Sequence, residues 1–313
     1  MSEHIVVSRA DGVMEIRLNR PEKKNALTRA MYEAISVGFE QADADPAVRV
    51  VLLTGTGDAF TSGNDIKDFQ QPAREGPNRP GGRFLPALSK LQKPLVAAVN
   101  GMAIGVGTTM LFHCDLIVAA RSARFQMPFT SLGVVPEAGS SLLAPAALGH
   151  RRASAMLLLG ESIDAATALD WGLVNRVVPY AELDAAVDIL AQKLIDKFPE
   201  CTRYTKEAVN YWKDQAWAAS IGHARDWLSL HFATLEPWEG MTAFVEKRKP
   251  DYRGIRRKAA EGGSSEFVWG PYIGTCAACG AKGIPADFAF CGKCGAPLAK
   301  APVGAAAGAS DGR

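Results

Sequence analysis

Four of the six cysteines form two C-x-x-C pairs near the end of the chain: Cys276, Cys279, Cys291 and Cys294. A glycine follows each pair and allows a tight turn, so that backbone amides can point at the sulfur atoms. Four thiolates at this spacing suit a tetrahedral Zn²⁺ ion, and the metal itself would fold so short a module. Two disulfides or an iron site of the rubredoxin type remain alternatives on spacing alone. Zinc is the preferred interpretation, with a structural or partner-binding role.

A single carboxylate, Glu137, stands in the turn GVVPEAGSS (133–141), with apolar segments on both sides. A glutamate in a turn is usually a solvated loop residue, and this is one hypothesis. An apolar pocket would instead raise the pKa of the carboxyl group and make it a useful general base. Four neighbouring side chains could form the walls of such a pocket: Phe129, Leu132, Val134 and Val135.

Two glycine-containing turns, FTSGNDI (60–66) and NGMAIGVG (100–107), each follow a predicted strand and open a predicted helix. The first turn of a helix leaves backbone N–H groups free, and the helix dipole adds positive potential. If the two turns converge, their amides could stabilise a developing oxyanion. Two ordinary strand-to-helix turns are the alternative, which periodicity alone favours. Asn64 could cap a helix or hold an amide near a substrate, whereas Asp65 is expected to serve the helix N-terminus and His113 to be a core residue.

The elements that position these residues alternate between strands and helices in the first half of the chain. β-Branched runs and period-two alternation predict five strands: 4–9, 12–20, 48–55, 94–101 and 115–120. Thr28 is a suitable N-cap for a helix in which Met31, Ile35 and Phe39 recur at helical spacing. Further helices are predicted near 181–197, 200–217, 219–235 and 238–248. The pattern therefore predicts an α/β protein.

Composition divides the 313 residues into unequal parts. The aperiodic segment 70–86 is rich in Pro, Gly and Arg, which predicts a surface loop that could act as a lid. We expect a main domain, a linker, a zinc ribbon and a disordered tail, at 1–260, 261–271, 272–298 and 299–313 respectively.

The charge balance is nearly even, with 35 basic and 33 acidic residues and a net charge of +2. It gives no electrostatic reason to expect nucleic acid or an anionic membrane as a partner. The sequence has no apolar run long enough to span a membrane and begins with no recognisable signal peptide. A cytoplasmic location is the resulting expectation.

Several stretches together make the chain resemble the crotonase (enoyl-CoA hydratase/isomerase) superfamily over about residues 3–253: LNRPEKKNALT, FTSGNDIKDF, PLVAAVNGMAIGVGTTMLFHCD, FQMPFTSLGVVPEAGSS, WGLVNRVVP and GMTAFVEKRKPDY. The resemblance implies a spiral of ββα units with a C-terminal helical trimerisation region. It also implies coenzyme A thioester substrates and a homotrimer or dimer of trimers. The oxyanion hole would consist of the backbone amides of Ser62 and Val106.

The same resemblance bears on the acid–base residues. Hydratases of this family use two glutamates, and at those positions this chain has Thr109 and Phe129. Neither side chain is a carboxylate, so efficient addition of water is not expected. The stretch PFTSLGVVPEAGSS resembles peroxisomal-type Δ3,Δ2-enoyl-CoA isomerases, which implies that Glu137 is the catalytic base.

By the same resemblance, substrate-binding positions are Ser62, Gly63, Asn64, Asp65, Ile66, Phe129 and Lys24. The predicted function is movement of a 3-enoyl-CoA double bond to the 2-position by a single glutamate base. A hydratase-like or other acyl-CoA reaction on the same fold is one alternative. A non-catalytic acyl-CoA-binding scaffold, with a protein partner docked through the zinc ribbon, is another.

Overall fold

The computed structural model describes residues 2–70, 82–231, 234–260, 274–284, 290–291 and 293–298. The strands in these ranges are β1 Ile5–Ala10, β2 Val13–Leu18, β3 Val50–Gly55, β4 Ala59–Thr61, β5 Leu95–Val99, β6 Met102–Ile104, β7 Leu116–Ala120, β8 Arg124–Gln126, β9 Ile163–Asp164, β10 Arg176–Val178, β11 Gly274–Thr275 and β12 Lys282–Ile284. The α-helices are α1 Arg29–Ala44, α2 Ile66–Gln70, α3 Phe84–Lys90, α4 Val106–Thr109, α5 Ser140–Leu148, α6 His150–Ser154, α7 Ala165–Asp170, α8 Leu183–Ile195, α9 Pro199–His231, α10 Leu235–Val245 and α11 Tyr252–Ala260.

A six-stranded sheet forms the centre of the fold, in the order β1-β2-β3-β5-β7-β10. All neighbours run parallel except β1 and β2, which are antiparallel. Strands β3 and β5 are buried along their whole length, as continuous apolar runs require. On β2 the alternation of buried Met14, Ile16 and Leu18 with half-buried residues confirms the predicted strand.

A second sheet consists of short strands in the order β4-β6-β8-β9. Strands β4, β6 and β8 pair in parallel, and each directly follows β3, β5 or β7 in the chain. A helix then follows, α2 after β4 and α4 after β6, so that the chain repeats a ββα unit. This is the predicted crotonase-like α/β fold. Its consequence for function is that the turns after β4 and β6 must lie side by side.

Two helical predictions need correction. The segments 200–217 and 219–235 were expected to be separate helices, but α9 runs without a break from Pro199 to His231. The stretch 216–219 is Ala-Trp-Ala-Ala and holds no helix breaker, which explains the continuity. The predicted loop 70–86 also ends early, because α3 begins at Phe84.

Several predictions concern residues that the structure does not describe: most of segment 70–86, the linker 261–271 and the tail 299–313. Within the described ranges, the helices are too short or too polar to cross a lipid bilayer.

Short helical segments complete the frame around the site. Four are 3₁₀-helices, Pro21–Lys23, Met110–His113, Thr130–Leu132 and Tyr180–Glu182, and a π-helical turn, Ala155–Leu159, extends α6. The Thr28 hydroxyl accepts the Met31 N–H at 3.3 Å and caps α1, as predicted.

Candidate active site

The two glycine-containing turns contact each other. Thr61 in β4 is paired with Ala103 in β6, and Gly63 lies against the Ile104 carbonyl group. A Cβ atom at residue 63 would lie only 2.9 Å from the Ile104 oxygen, and the backbone there has φ +92°. Glycine is the residue that tolerates both conditions. The convergence needed for an oxyanion hole is therefore present.

The backbone amides of the first turn differ in whether they are free. The Ser62 N–H donates to the Lys24 carbonyl at 2.9 Å, and the Gly63 N–H donates to the Thr61 hydroxyl at 3.1 Å. The Asp65 N–H donates to the Leu27 carbonyl at 2.8 Å. Within the described part of the chain, the Asn64 N–H has no acceptor. The Ser62 amide, which was expected to bind an oxyanion, already has an acceptor. The Asn64 amide is the one in this turn that remains available.

The second turn offers an amide at the start of α4. Gly105 donates its N–H to the Gln126 carbonyl at 2.8 Å, and the Gly105 carbonyl accepts from Thr108 and Thr109. Val106 is the first residue of α4, and its N–H meets no acceptor among the described residues. Amides in the first turn of a helix are the ones left unpaired by the helical ladder.

Glu137 directs its carboxyl group into the protein. The Thr109 hydroxyl, which is completely buried, donates to Glu137 Oε1 at 2.7 Å. Thr109 stands three residues after Val106 in α4, so the residue that holds the carboxylate lies about one helical turn from the residue with the free amide. The Glu137 carbonyl accepts from both the N–H and the hydroxyl of Ser140, at 3.0 and 2.6 Å. These bonds fix the turn around the carboxylate.

Burial raises the pKa of Glu137 to about 7, and the hydrogen bond from Thr109 lowers it by less. The residue as a whole is half-buried, whereas its carboxyl group is desolvated. A carboxyl group with this pKa exchanges protons readily near neutral pH. The solvated-loop hypothesis for Glu137 does not agree with this environment.

Tyr32 is a site residue that the sequence did not reveal. Its hydroxyl donates to Asn64 Oδ1. Burial, with a smaller contribution from the charge of Glu137, raises the pKa of Tyr32 well above its usual value. The phenol therefore stays neutral beside the carboxylate. Tyr32 occupies a buried position of α1, and a buried tyrosine hydroxyl needs a hydrogen-bond partner, which was the available signal.

Two predicted substrate-binding residues make other contacts. Asp65 accepts from Arg20 at 2.7 Å and from the Asp68 N–H at 3.2 Å, which agrees with the expected role at the start of α2. Burial alone would raise the pKa of Asp65, but these bonds outweigh it and hold the pKa below its usual value. Lys24 is exposed and forms an ion pair with Asp58 at 2.7 Å.

The two apolar substrate-binding candidates differ in exposure. Phe129 is buried in the main core, and Ile66 is half-buried at the start of α2.

The model of the enoyl-CoA hydratase/isomerase family matches residues 8–256. The chain belongs to this family. It is 33% identical over 261 residues to 1,2-epoxyphenylacetyl-CoA isomerase of Escherichia coli and 35% identical over 258 residues to 2,3-dehydroadipyl-CoA hydratase of the same organism. Each match covers 81% of this chain and 100% of the relative.

Solved structures of family members agree with the fold. An enoyl-CoA hydratase/isomerase from Pseudoalteromonas atlantica has a TM-score of 0.77 at 40% identity, and covers 80% of this chain and 100% of its own. Pseudomonas aeruginosa OdaA has a TM-score of 0.74 at 41% identity, and covers 78% of this chain and 99% of its own. Membership makes the chain an enzyme of the crotonase type. The names of the relatives include both isomerases and hydratases, so the reaction must be argued from the site.

The four clustered cysteines lie beyond the region that the family model matches. Their Sγ atoms all lie within 4.8 Å of one another, and all four are free thiols. Two equivalent turns present them: Gly280 N–H donates to the Cys276 carbonyl, and Gly295 N–H donates to the Cys291 carbonyl, both at 2.8 Å. Both glycines have φ near +70°. The predicted glycine turns are therefore present, and the disulfide alternative does not agree with the structure.

Proposed function

We propose that this family member is a Δ3,Δ2-enoyl-CoA isomerase in which Glu137 is the only acid–base carboxylate. The carrying observation is the buried carboxyl group, held by Thr109 one helical turn from the free Val106 amide and with a pKa of about 7. The positions of the two hydratase glutamates hold Thr109 and Phe129. A reaction that needs one base and no activated water suits this arrangement.

The proposed reaction begins with the thioester oxygen at the two turns. The ionised Glu137 takes a proton from C2, and the C2–H electron pair becomes part of a dienolate that extends from the thioester oxygen to C4. The protonated Glu137 then returns the proton to C4, so that the double bond moves from C3–C4 to C2–C3. No atom is gained or lost, and no water takes part.

The amides of Asn64 and Val106 are the proposed oxyanion donors. Asn64 replaces Ser62 in this role because the Ser62 N–H is bonded to the Lys24 carbonyl. Loss of a single donor from such a hole typically costs about 2.7–4 kcal/mol of transition-state stabilisation. The Thr109 bond leaves the second carboxylate oxygen, Oε2, available for the proton.

The test compares wild type with Glu137→Gln on 3-enoyl-CoA and 2-enoyl-CoA substrates. We expect wild type to form 2-enoyl-CoA, and Glu137→Gln to lose at least about 100-fold in kcat, because a general base contributes about 10²–10⁴-fold. Glu161→Gln, a change at an exposed glutamate, is the matched control and should behave as wild type. Full activity of Glu137→Gln would overturn the assignment.

Hydration is the second candidate, because several relatives at 33–36% identity are named hydratases. It would require an unrecognised group to activate water in place of the two missing carboxylates. The 2-enoyl-CoA arm of the same experiment separates the two reactions. Robust formation of a 3-hydroxyacyl-CoA would favour the hydratase.

A structural Zn²⁺ ion at the four cysteines is the proposed role of the C-terminal module. Zn–S bonds of about 2.3 Å in a tetrahedron require sulfur atoms about 3.8 Å apart. The observed Cys276–Cys294 and Cys279–Cys291 Sγ separations are 3.6 and 3.7 Å. The thiols thus fit zinc, which would tie the two turns together. Docking of a partner protein through this module remains a further role for it.

Assembly into trimers or dimers of trimers is also proposed. Large apolar side chains are exposed on α9 and α10, including Val209, Trp212 and Phe244, which are 76%, 80% and 62% exposed. Exposed apolar surfaces of this kind mark interaction sites. The mass in solution, measured by light scattering, distinguishes a trimer from a dimer of trimers.

A further inference from the structure

His113 reaches the backbone of the turn that carries Glu137. It ends the 3₁₀-helix Met110–His113, which directly continues α4, and it is 2% exposed. Its Nε2 atom lies 3.0 Å from the Ala138 carbonyl oxygen. A carbonyl oxygen only accepts, so Nε2 carries the proton and donates. The other nitrogen, Nδ1, is buried and has no partner in the described part of the chain. The bond from Nε2 to the Ala138 carbonyl is therefore the polar interaction that accounts for a histidine at this buried position.

Ala138 has a backbone conformation that needs support. Its φ is +55°, in the left-handed region that costs a non-glycine residue about 1–2 kcal/mol. The residue directly follows Glu137, so a rotation of its peptide groups would move the carboxyl group. Ser140 holds the Glu137 carbonyl on one side of this strained residue, and His113 holds the Ala138 carbonyl on the other.

Trp217 of α9 supports both His113 and the turn. The rings of His113 and Trp217 meet edge to face, with centroids 5.4 Å apart. The indole also lies against Gly139, where a Cβ atom would be 2.7 Å from the ring. The long C-terminal helix α9 therefore contacts the turn one residue beyond the strained position.

We propose that His113, supported by Trp217, is a positioning residue that holds the Glu137 carboxyl group in its buried site through the Ala138 carbonyl. This inference rests on the proposed role of Glu137 as the base. His113 itself touches neither the substrate nor the carboxylate. Its effect is to keep the strained turn closed, so that the carboxyl group remains desolvated and bonded to Thr109.

His113 stays neutral while it does this. Burial, assisted by the nearby charges of Lys213 and Lys206 on α9, lowers the pKa of His113 to about 4, although the bond to Ala138 opposes the shift. Among the described residues, the Tyr32 phenol from α1 and the Thr109 hydroxyl from α4 interact with the Glu137 carboxyl group, and both are neutral near pH 7. A change in rate around pH 7 therefore reports the ionisation of Glu137.

The test measures kcat, KM and the pH dependence of kcat/KM for His113→Leu and His113→Gln. In wild type kcat/KM should rise with pH through about 7, as Glu137 of the free enzyme ionises. In His113→Leu the turn relaxes and water reaches the carboxyl group, so the midpoint should fall toward the ordinary value of 4.5. We expect kcat to fall about 10- to 100-fold with little change in KM, because a small misplacement of a catalytic group lowers the rate by this order of magnitude. His113→Gln keeps an N–H donor and should recover most of the kcat.

Leu111→Ala is the matched control, because Leu111 is buried in the same 3₁₀-helix. It should lower stability without moving the pH midpoint. Trp217→Ala changes a half-buried residue and provides a second route if His113→Leu fails to fold. It should move the midpoint in the same downward direction.

Two failures can be told apart. Inactive Glu137→Gln together with wild-type midpoints and kcat in the His113 and Trp217 variants would overturn this inference alone. An active Glu137→Gln would overturn the isomerase assignment itself.

Discussion

Glu137 is a candidate base because two effects shift the pKa of its carboxyl group in opposite directions. Burial raises its pKa to about 7, while the Thr109 hydroxyl favours the ionised form. The balance leaves a group that exchanges its proton near neutral pH and is still basic enough to take a proton from carbon. Thr109 orients the carboxyl group through this bond and offsets part of the effect of burial on its pKa.

Thr109→Val should move the pH profile upward. The change keeps the shape of the side chain but removes the hydroxyl that stabilises the carboxylate. Since a hydrogen bond to a charged group contributes about 1.5–3 kcal/mol and one pKa unit is about 1.4 kcal/mol, the midpoint should rise by about one to two units. At pH 7 the base would then be mostly protonated and kcat would fall. The measurement is the rate–pH profile with a 3-enoyl-CoA.

Thr109→Ser is the control for this prediction, because it keeps the hydroxyl group and should retain a midpoint near that of wild type. The upward shift is opposite in sign to the one expected for His113→Leu, so the two variants check each other. A Thr109→Val profile identical to wild type would show that the hydrogen bond does not set the pKa of Glu137.

At this scale the proposed base could be singled out from the sequence, whereas the proposal of the Asn64 amide in place of the Ser62 amide needed the structure. Glu137 could be singled out because its motif resembles that of an isomerase and the positions of the other carboxylates are occupied by Thr109 and Phe129. The choice between Ser62 and Asn64 depends on which N–H groups are taken by the carbonyls of Lys24 and Leu27. Those carbonyls belong to a distant segment of the chain, so no local pattern indicates the free amide. Tyr32 was missed for the same reason.

The site exists because two short parallel strands bring their following turns together. Strands β4 and β6 pair directly, and Gly63, just after β4, meets the carbonyl group of Ile104, the last residue of β6. Apolar runs and alternation predicted the long strands well, since burial of their side chains is a local property of sequence. The predicted break in α9 was wrong because no helix breaker stands there, and the start of α3 at Phe84 was missed because segment 70–86 has no periodic pattern.

Gly63→Ala should damage the site more than the fold. An alanine at φ +92° costs about 1–2 kcal/mol in the free energy of unfolding, and its methyl group would also press on the Ile104 carbonyl. That pressure would separate the amides of the two turns. We expect kcat/KM to fall about tenfold or more, because oxyanion donors act only at short range. Urea unfolding and steady-state kinetics measure the two effects.

Gly149→Ala separates backbone strain from contact. Gly149 has φ +80°, but a Cβ atom there would meet nothing within 4 Å. With ψ 153° this backbone conformation is one that glycine alone adopts readily, so the variant should lose at least as much stability and keep wild-type kcat/KM. Equal losses of activity in both variants would mean that strain, and not the separation of the turns, impairs the enzyme.

The whole chain combines a family domain with a C-terminal segment that lies outside the family match. The family match ends at residue 256, and relatives that match over their entire length cover 81% of this chain. The cysteine cluster at 276–294 lies outside that region. Since the proposed reaction uses residues of the family domain alone, turnover should not depend on the cluster.

Metal analysis of the purified full-length protein, together with activity assays, tests whether turnover is independent of the cysteine cluster. Wild type should contain about one zinc per chain, and Cys276→Ser should lose it, since one of the four thiolate ligands is removed. Cys201→Ser changes an exposed cysteine outside the cluster and should keep the metal. Both variants should isomerise 3-enoyl-CoA at the wild-type rate, so that loss of zinc occurs without loss of turnover. Iron in place of zinc would contradict the metal assignment, and a large fall in kcat confined to Cys276→Ser would mean that the metal module supports the active site.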